Sequence, residues 1–208
     1  MKQLSSIILA SQSSRRRELL KLLGVDFQVR VPKFKETSQP HLSPEQEALH
    51  LAREKARSLS SEFPHALIVG SDTLVVLDDE KLGKPRDEVQ ALAMLEKLSG
   101  REHRVLTGLV VLEAATDRFR EHLEQTCVRM KPFNRQEAMA YVASGEPMDK
   151  AGAYAVQGKG RELIELIEGD YFNVVGLPLK ALAEMLQGFG VSVSTDWEKI
   201  YKLWDRRR

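Results

Sequence analysis

The chain has 208 residues, 42% of them hydrophobic and 29% charged, and a formal net charge of +1. These are the proportions of one ordinary globular domain that can bury a core without staples, and they exclude a generally polyanion-seeking surface. The lone cysteine, Cys127, excludes an internal disulfide and a cysteine-based zinc site, and no apolar run reaches the roughly 18 residues of a membrane span. Residues 1–3 lead into a short strand rather than a signal peptide, so a cytoplasmic protein is expected.

Residues 6–10 are apolar and β-branched and predict a buried strand. A serine-rich turn follows, then a helix to about residue 23, stopped by Gly24. Residues 26–31 alternate as a second strand, and residues 33–43, with Pro40, read as a polar loop. Ser43-Pro44-Glu45 opens a helix to about residue 59, with serine at the cap and proline at the first position. Its apolar stripe is Ala48, Leu51, Ala52 and Leu59, with Lys55 on the same face.

Residues 66–69 and 74–77 predict strands flanking Gly70-Ser71-Asp72-Thr73, and Asp78-Asp79-Glu80 a turn. A helix over 87–98 closes at Gly100, strands follow at 105–112 and 124–130, and a helix at 135–144. Shorter strands are expected at 151–157, 162–167 and 174–175, then a helix at 179–187. Trp197, Ile200, Tyr201 and Trp204 have helical spacing ahead of Arg206-Arg207-Arg208. This tail reads as a helix docked on its own domain, the alternatives being a dimer contact or contact with an acidic surface. Interleaved strands and helices, with no repeat or clear linker, give an α/β class with a mixed sheet. The chain is expected to be one domain, 1–208, with 195–208 as a C-terminal helical extension.

Two segments carry chemistry. In Ser11-Gln12-Ser13-Ser14-Arg15-Arg16-Arg17 a strand, a small-residue turn and a helix start follow one another, which presents free N–H groups to an anion. The helix dipole disfavours cations at that end by roughly 0.3–1 kcal/mol per exposed charge. Three consecutive arginines there point to an anion such as a nucleotide phosphate, which arginine binds in bidentate fashion; a solvated basic surface is the alternative. Ser11 and Ser13 add hydroxyl donors, Arg15 and Arg16 are expected to meet the substrate, and Arg17 the solvent.

The second segment holds Asp72, the one ionisable residue between Ala66 and Leu77. A carboxylate in a buried segment costs several kcal/mol unless paired, hydrogen-bonded or metal-bound. It reads as a general base or metal-associated acid, or else as a turn aspartate capping the backbone. Lys55 either snorkels to a rim or reaches into a cleft. Lys84, ahead of Pro85, Lys150, and Glu36 in the early loop are unremarkable by themselves. His41, His50, His65, His103 and His122 show no metal-ligand spacing, so any metal should be a hard ion such as Mg²⁺ or Mn²⁺ held by carboxylates and substrate phosphates.

Together these segments resemble the Maf family of nucleotide pyrophosphatases over residues 9 to about 186. The resemblance rests on Leu9-Ala10-Ser11-Gln12-Ser13-Ser14-Arg15-Arg16-Arg17-Glu18-Leu19-Leu20, Leu51-Ala52-Arg53-Glu54-Lys55-Ala56 and Gly70-Ser71-Asp72-Thr73. It continues through Gly83-Lys84-Pro85, Leu98-Ser99-Gly100 with Thr107-Gly108, Asp149-Lys150-Ala151-Gly152-Ala153-Tyr154 and Val174-Val175-Gly176-Leu177-Pro178. It implies an elongated mixed sheet flanked by helices, in two lobes around a central cleft, similar to the house-cleaning inosine triphosphate pyrophosphatases. The implied activity is hydrolysis of a nucleoside triphosphate to the monophosphate and pyrophosphate with Mg²⁺ or Mn²⁺.

On that resemblance Asp72 is the proton acceptor for the attacking water, and Ser11, Ser13, Arg15 and Arg16 form the phosphate-binding turn. Glu36, Lys55 and Lys84 are further substrate-binding positions, and Asp72 and Glu36 would hold the metal. Arg16, Thr73 and Gln157 match the pattern of the subfamily acting on dTTP and UTP, and a glutamine amide suits the O4/N3 edge of a pyrimidine. Ser14 replaces a usual proline, Ser71 a common alanine, and Ala155-Val156 a usual Gly-Ile, while Gly83 stands at an often acidic position. A nucleotide- or nucleic-acid-binding regulator of cell division or septum formation is the alternative implied by the resemblance. No membrane contact and no stable nucleic-acid complex are expected, and a homodimer is left open.

Overall fold

In the computed structural model, which describes residues 6–35, 37, 39 and 41–205, the first apolar run forms strand β1 (Ile7–Ala10), every residue of it buried. Ser13 caps helix α1 (Ser14–Lys21), whose inner side is Leu19 and Leu20. Strand β2 (Phe27–Arg30) returns parallel to β1. Helix α2 (Pro44–Arg57) begins with the expected serine cap, closed into a capping box in which the Gln46 side chain accepts from the Ser43 N–H. Its inner face carries Ala48, Leu51, Ala52, Lys55 and Ala56.

Strand β3 (Leu67–Leu77) runs parallel to β1 and turns into the short antiparallel β4 (Glu80–Leu82). Helix α3 (Glu88–Leu98) leads to the long antiparallel pair β5 (Glu102–Glu113) and β6 (Arg118–Met130). Helix α4 (Arg135–Val142), three 3-10 turns, β7 (Ile164–Glu168), α5 (Tyr171–Val175), α6 (Leu179–Gly188) and α7 (Trp197–Asp205) complete the chain. The seven strands form one mixed sheet in the order β2-β1-β3-β5-β6-β7, with β4 paired to β3. The α/β class with helices flanking a mixed sheet is thus the observed one. Among the described residues no helix is long and apolar enough to cross a membrane.

The two faces of the sheet bury different cores. Leu67, Val69, Val75 and Leu77 of β3 join the larger cluster with Leu9, Leu95, Leu109 and Phe172. The alternate residue Ile68 joins Ile8, Val110 and Leu112 beneath Ala52 and Ala56 of α2. α2 lies unusually close on this face because two sheet positions lack side chains. A Cβ on Gly70 would stand 2.1 Å from the Ala52 carbonyl oxygen, and one on Gly108 2.2 Å from that of Ala48.

Three local expectations differ. Gly70-Ser71-Asp72-Thr73 does not interrupt a strand; β3 is continuous because β5 pairs with it from Leu67 to Val76. Residues 151–157 are not a strand: Ala151–Ala153 is a 3-10 turn in which Gly152 takes φ 69° and packs on Val75, where a Cβ would collide. Val174 and Val175 are helical because Asp170 caps α5, accepting from Phe172 N at 2.7 Å.

The C-terminal segment docks on its own domain. Ile200 is buried in the main core with Trp197 against it, and the Tyr201 ring lies 5.4 Å from that of Phe172. Residues 206–208 lie outside the described residues, as does the Trp204 side chain.

Candidate active site

β1 pairs with β3 only as far as Gly70, and β4 joins β3 only from Val75. Between them, on that side, residues 71–74 have no strand neighbour, and the chain leaving β1 turns directly into α1. A gap at the carboxyl end of a parallel strand is where α/β sheets receive ligands. Here it is a cavity of about 770 Å³, within the size range of small-molecule sites. Residues 11–16, Phe34, Lys55, Asp72, Thr73, Lys84, Asp149 and Gly176 are among those lining it.

The serine turn is ordered by its own hydroxyls. Ser11, buried, accepts from Ser13 N at 3.1 Å, and Ser13 accepts from Arg16 N at 3.3 Å as the cap of α1. Acting as acceptors, both keep an O–H proton for another partner. The first-turn N–H groups of Ser14 and Arg15 have no intrahelical acceptor and open on the same space.

The arginines divide as expected, and their placement explains how cations are tolerated at a helix N-terminus. Arg15 Nη1 meets Asp149 Oδ2 at 3.2 Å. Arg16 donates from Nε to the Gly176 carbonyl at 2.8 Å and from Nη2 to Thr73 Oγ1 at 3.0 Å. Arg17 is exposed, near only Glu18. Acceptors brought from α5, β3 and the 3-10 turn Glu146–Asp149 thus offset a local sequence conflict.

Asp72 and Lys55 meet at the base of the cavity. Asp72 is on the α2 side of β3, and Lys55 Nζ reaches Asp72 Oδ1 at 2.5 Å, with the residues 6% and 7% exposed. The pair exists because Gly70 and Gly108 let α2 approach the sheet. Thr73, next in the strand, faces the other way toward Arg16 and Thr107, so the cavity wraps the free edge of β3 and sees both faces.

Lys84 stands exposed at the rim, just after Gly83, whose carbonyl accepts from Gly152 N at 3.1 Å. Lys150 donates to the Glu146 carbonyl and to Asp149 Oδ1, both at 2.6 Å. Burial works to raise the Asp149 carboxyl pKa, but the Lys150 ammonium and the Arg15 guanidinium outweigh it and hold it below the usual carboxylate value. Gln157 is half-buried before the 3-10 turn Gly158–Leu163 and is not among the residues lining the cavity. Glu36 lies outside the described residues.

The lining presents Arg15, Arg16, Lys55 and Lys84 against Asp72 and Asp149, an excess of positive charge suited to a polyanion. Among the described residues no group of three or more His, Cys, Asp or Glu side chains gathers to hold a metal ion. Sequence reasoning assigned no role to Asp149, Thr107 or the Gly176 carbonyl. An acid beside Lys150 was the visible signal for the first; the other two depend on contacts far apart in sequence.

The family described as Maf-like protein matches residues 6–189. A protein of Symbiobacterium thermophilum named dTTP/UTP pyrophosphatase is 47% identical over 192 residues, covering 92% of this chain and 98% of its own. Proteins of the same name from Methanosarcina mazei and Bacillus pumilus are 47% and 41% identical, each over about nine-tenths of this chain and 95% and 99% of their own. A solved nucleoside-triphosphatase, dITP/XTP pyrophosphatase, from Mycobacterium abscessus aligns with a TM-score of 0.42 at 14% identity, over 89% of this chain and 96% of that one.

Proposed function

The chain belongs to the Maf family, and from that premise we propose that it hydrolyses dTTP and UTP to the monophosphate and pyrophosphate, clearing these or related pyrimidine nucleotides from the pool. The observation that carries this reading is the Asp72–Lys55 pair at the base of a cavity rimmed by the α1 N-terminus, Arg15 and Lys84. One end of the cavity is made for phosphates, and the opposite wall, with Thr73 and the Gly176 region, faces the rest of the nucleotide.

In the reaction a water oxygen forms a bond to phosphorus, the bridge between the α and β phosphates breaks, and the pyrophosphate oxygen takes the electron pair. Asp72 accepts the proton released by the water, and Lys55 keeps that carboxylate ionised beforehand and oriented toward the cavity. Arg15, Lys84 and the free N–H groups of α1 hold the phosphate oxygens where negative charge accumulates. Arg16 and Thr73, already joined, together with Gln157, select the base.

A divalent cation fits this donor set in one mode, a single cavity carboxylate completed by substrate phosphate oxygens, which is a common way of binding Mg²⁺. Asp72 would hold Mg²⁺ or Mn²⁺, with Glu36 as the second acid. Such an ion, when bound, polarises a phosphoryl oxygen and neutralises charge on the leaving group.

The test is pyrophosphate release by the purified protein with Mg²⁺ or Mn²⁺. Release from dTTP and UTP should outpace that from ATP and GTP and stop when the metal is chelated. Equal rates on all four would overturn the base preference, and no release from any would overturn the activity.

A further inference from the structure

Thr73 Oγ1 is where the cavity meets a buried hydrogen-bond chain. It accepts from Arg16 Nη2 at 3.0 Å and lies 2.9 Å from Thr107 Oγ1. Thr107 is fully buried on β5, directly opposite Thr73 in the β3–β5 ladder, and it does not line the cavity. On its far side Thr107 Oγ1 lies 3.3 Å from the main-chain oxygen of Asn173. Asn173 is itself held in place, its Nδ2 donating to the Val105 carbonyl at 3.0 Å and to Thr126 Oγ1 at 2.9 Å. Thr126 in turn donates to the Asp170 carbonyl at 3.0 Å.

The polarity of this chain is determined by its ends. A guanidinium can only donate and a carbonyl can only accept, while each hydroxyl has one proton. The Thr107 proton therefore goes to the Asn173 oxygen, and Thr107 Oγ1 receives the Thr73 proton. The opposite order would leave a buried carbonyl facing a hydroxyl lone pair, at a cost of about 1–3 kcal/mol. The Thr73 proton is thus committed inward, and toward the cavity its oxygen offers only a lone pair.

We infer that Thr107 is a specificity-determining positioning residue: by orienting the Thr73 hydroxyl it makes position 73 an obligate acceptor. That favours pyrimidines presenting a ring N–H donor, the imide of uracil and thymine, over cytosine, whose N3 carries a lone pair. The inference rests on the proposed hydrolysis of dTTP and UTP and adds the reason for rejecting the cytosine nucleotide.

The experiment compares kcat/KM for UTP and CTP in the wild type and in Thr107→Val and Thr107→Ser. The wild type should favour UTP. Thr107→Val, which frees the Thr73 proton to turn outward, should lower the UTP-to-CTP ratio by about tenfold, the effect of one hydrogen bond changing sign. Thr107→Ser, which keeps the hydroxyl, should preserve the ratio. Wild-type turnover of CTP within twofold of UTP overturns the inference, and so does a loss in Thr107→Val that falls equally on both substrates. Should the valine variant fail to fold, Thr107→Ala, which only removes atoms, is read by the same ratio. No release from UTP or dTTP by the wild type would instead overturn the function on which the inference stands.

Discussion

Lys55 Nζ and Asp72 Oδ1 stand 2.5 Å apart on a helix and a strand whose backbones nearly touch, both side chains almost removed from solvent. A buried ion pair of this kind adds little net stability but is costly to break from one side. The ammonium keeps a carboxylate charged in a place where burial alone would favour its neutral form.

Asp72→Asn retains the shape and an acceptor for Lys55, so the fold should persist while pyrophosphate release falls by about 10²–10⁴-fold, as for loss of a general base. Lys55→Met strips the carboxylate of its ammonium and should cost about 3 kcal/mol, the lower end for a broken buried pair because the cavity admits water. Turnover assays and urea unfolding, run on both variants, separate the two effects. An Asp72→Asn protein with wild-type turnover would remove Asp72 from the mechanism.

Gly70→Ala and Gly108→Ala each push a Cβ into a main-chain carbonyl of α2, at 2.1 and 2.2 Å. Backbone atoms of a helix cannot step aside as a side-chain tip can, so each should destabilise by about 1–3 kcal/mol or more. Because α2 carries Lys55, turnover should fall along with stability. Either variant retaining both full turnover and the wild-type urea midpoint would contradict the close approach.

Arg16→Lys removes a planar fork that spans Gly176 and Thr73 with two separate nitrogens. An ammonium cannot reproduce that geometry, and kcat/KM for dTTP and UTP should fall about tenfold or more. Steady-state kinetics on both substrates check this.

His103 is buried on β5, its Nε2 2.7 Å from the Tyr154 hydroxyl, and burial holds its pKa down at about 4 from the usual 6.5. The unfolded chain therefore takes up a proton between those values that the folded protein refuses. Stability is fully present above pH 6.5 and is lost as pH falls toward about 4, by an amount on the order of 3 kcal/mol. His103→Gln keeps a polar partner for Tyr154 but does not titrate, so urea unfolding at pH 7 and pH 5 should show a flatter pH dependence in the variant.

α7 contributes Ile200 to the main core and Tyr201 to the Phe172 ring. Ile200→Ala should cost about 2–3 kcal/mol. Deleting residues 195–208 should lower the melting temperature without changing the association state, measured as mass in solution. A change in that mass would make the helix an intermolecular contact.

Much of the phosphate end was legible in residue order. The turn after β1, the serine caps of α1 and α2 and the solvated position of Arg17 all follow from interactions within a few residues. Lys55 and Asp72 were each conspicuous as charges in apolar patterns, yet neither segment alone could reveal that they meet. Residues 151–157 and 174–175 were misread as strands because the Gly152 contact with Val75 and the Asp170 cap of a five-residue helix outweigh short apolar runs.

The sequence by itself determined an α/β chain with an anion-seeking arginine turn and a charged residue in each of two buried elements, since periodicity, capping and the cost of buried charge act locally. Tertiary structure alone decided how those charges are used. Gly70 and Gly108 bring Lys55 onto Asp72, Gly176 and Thr73 occupy Arg16, and Thr107 joins Thr73 to Asn173. Each of these relationships joins residues distant in sequence, and a hydrogen bond or a close approach depends on tenths of an ångström that only the folded backbone sets.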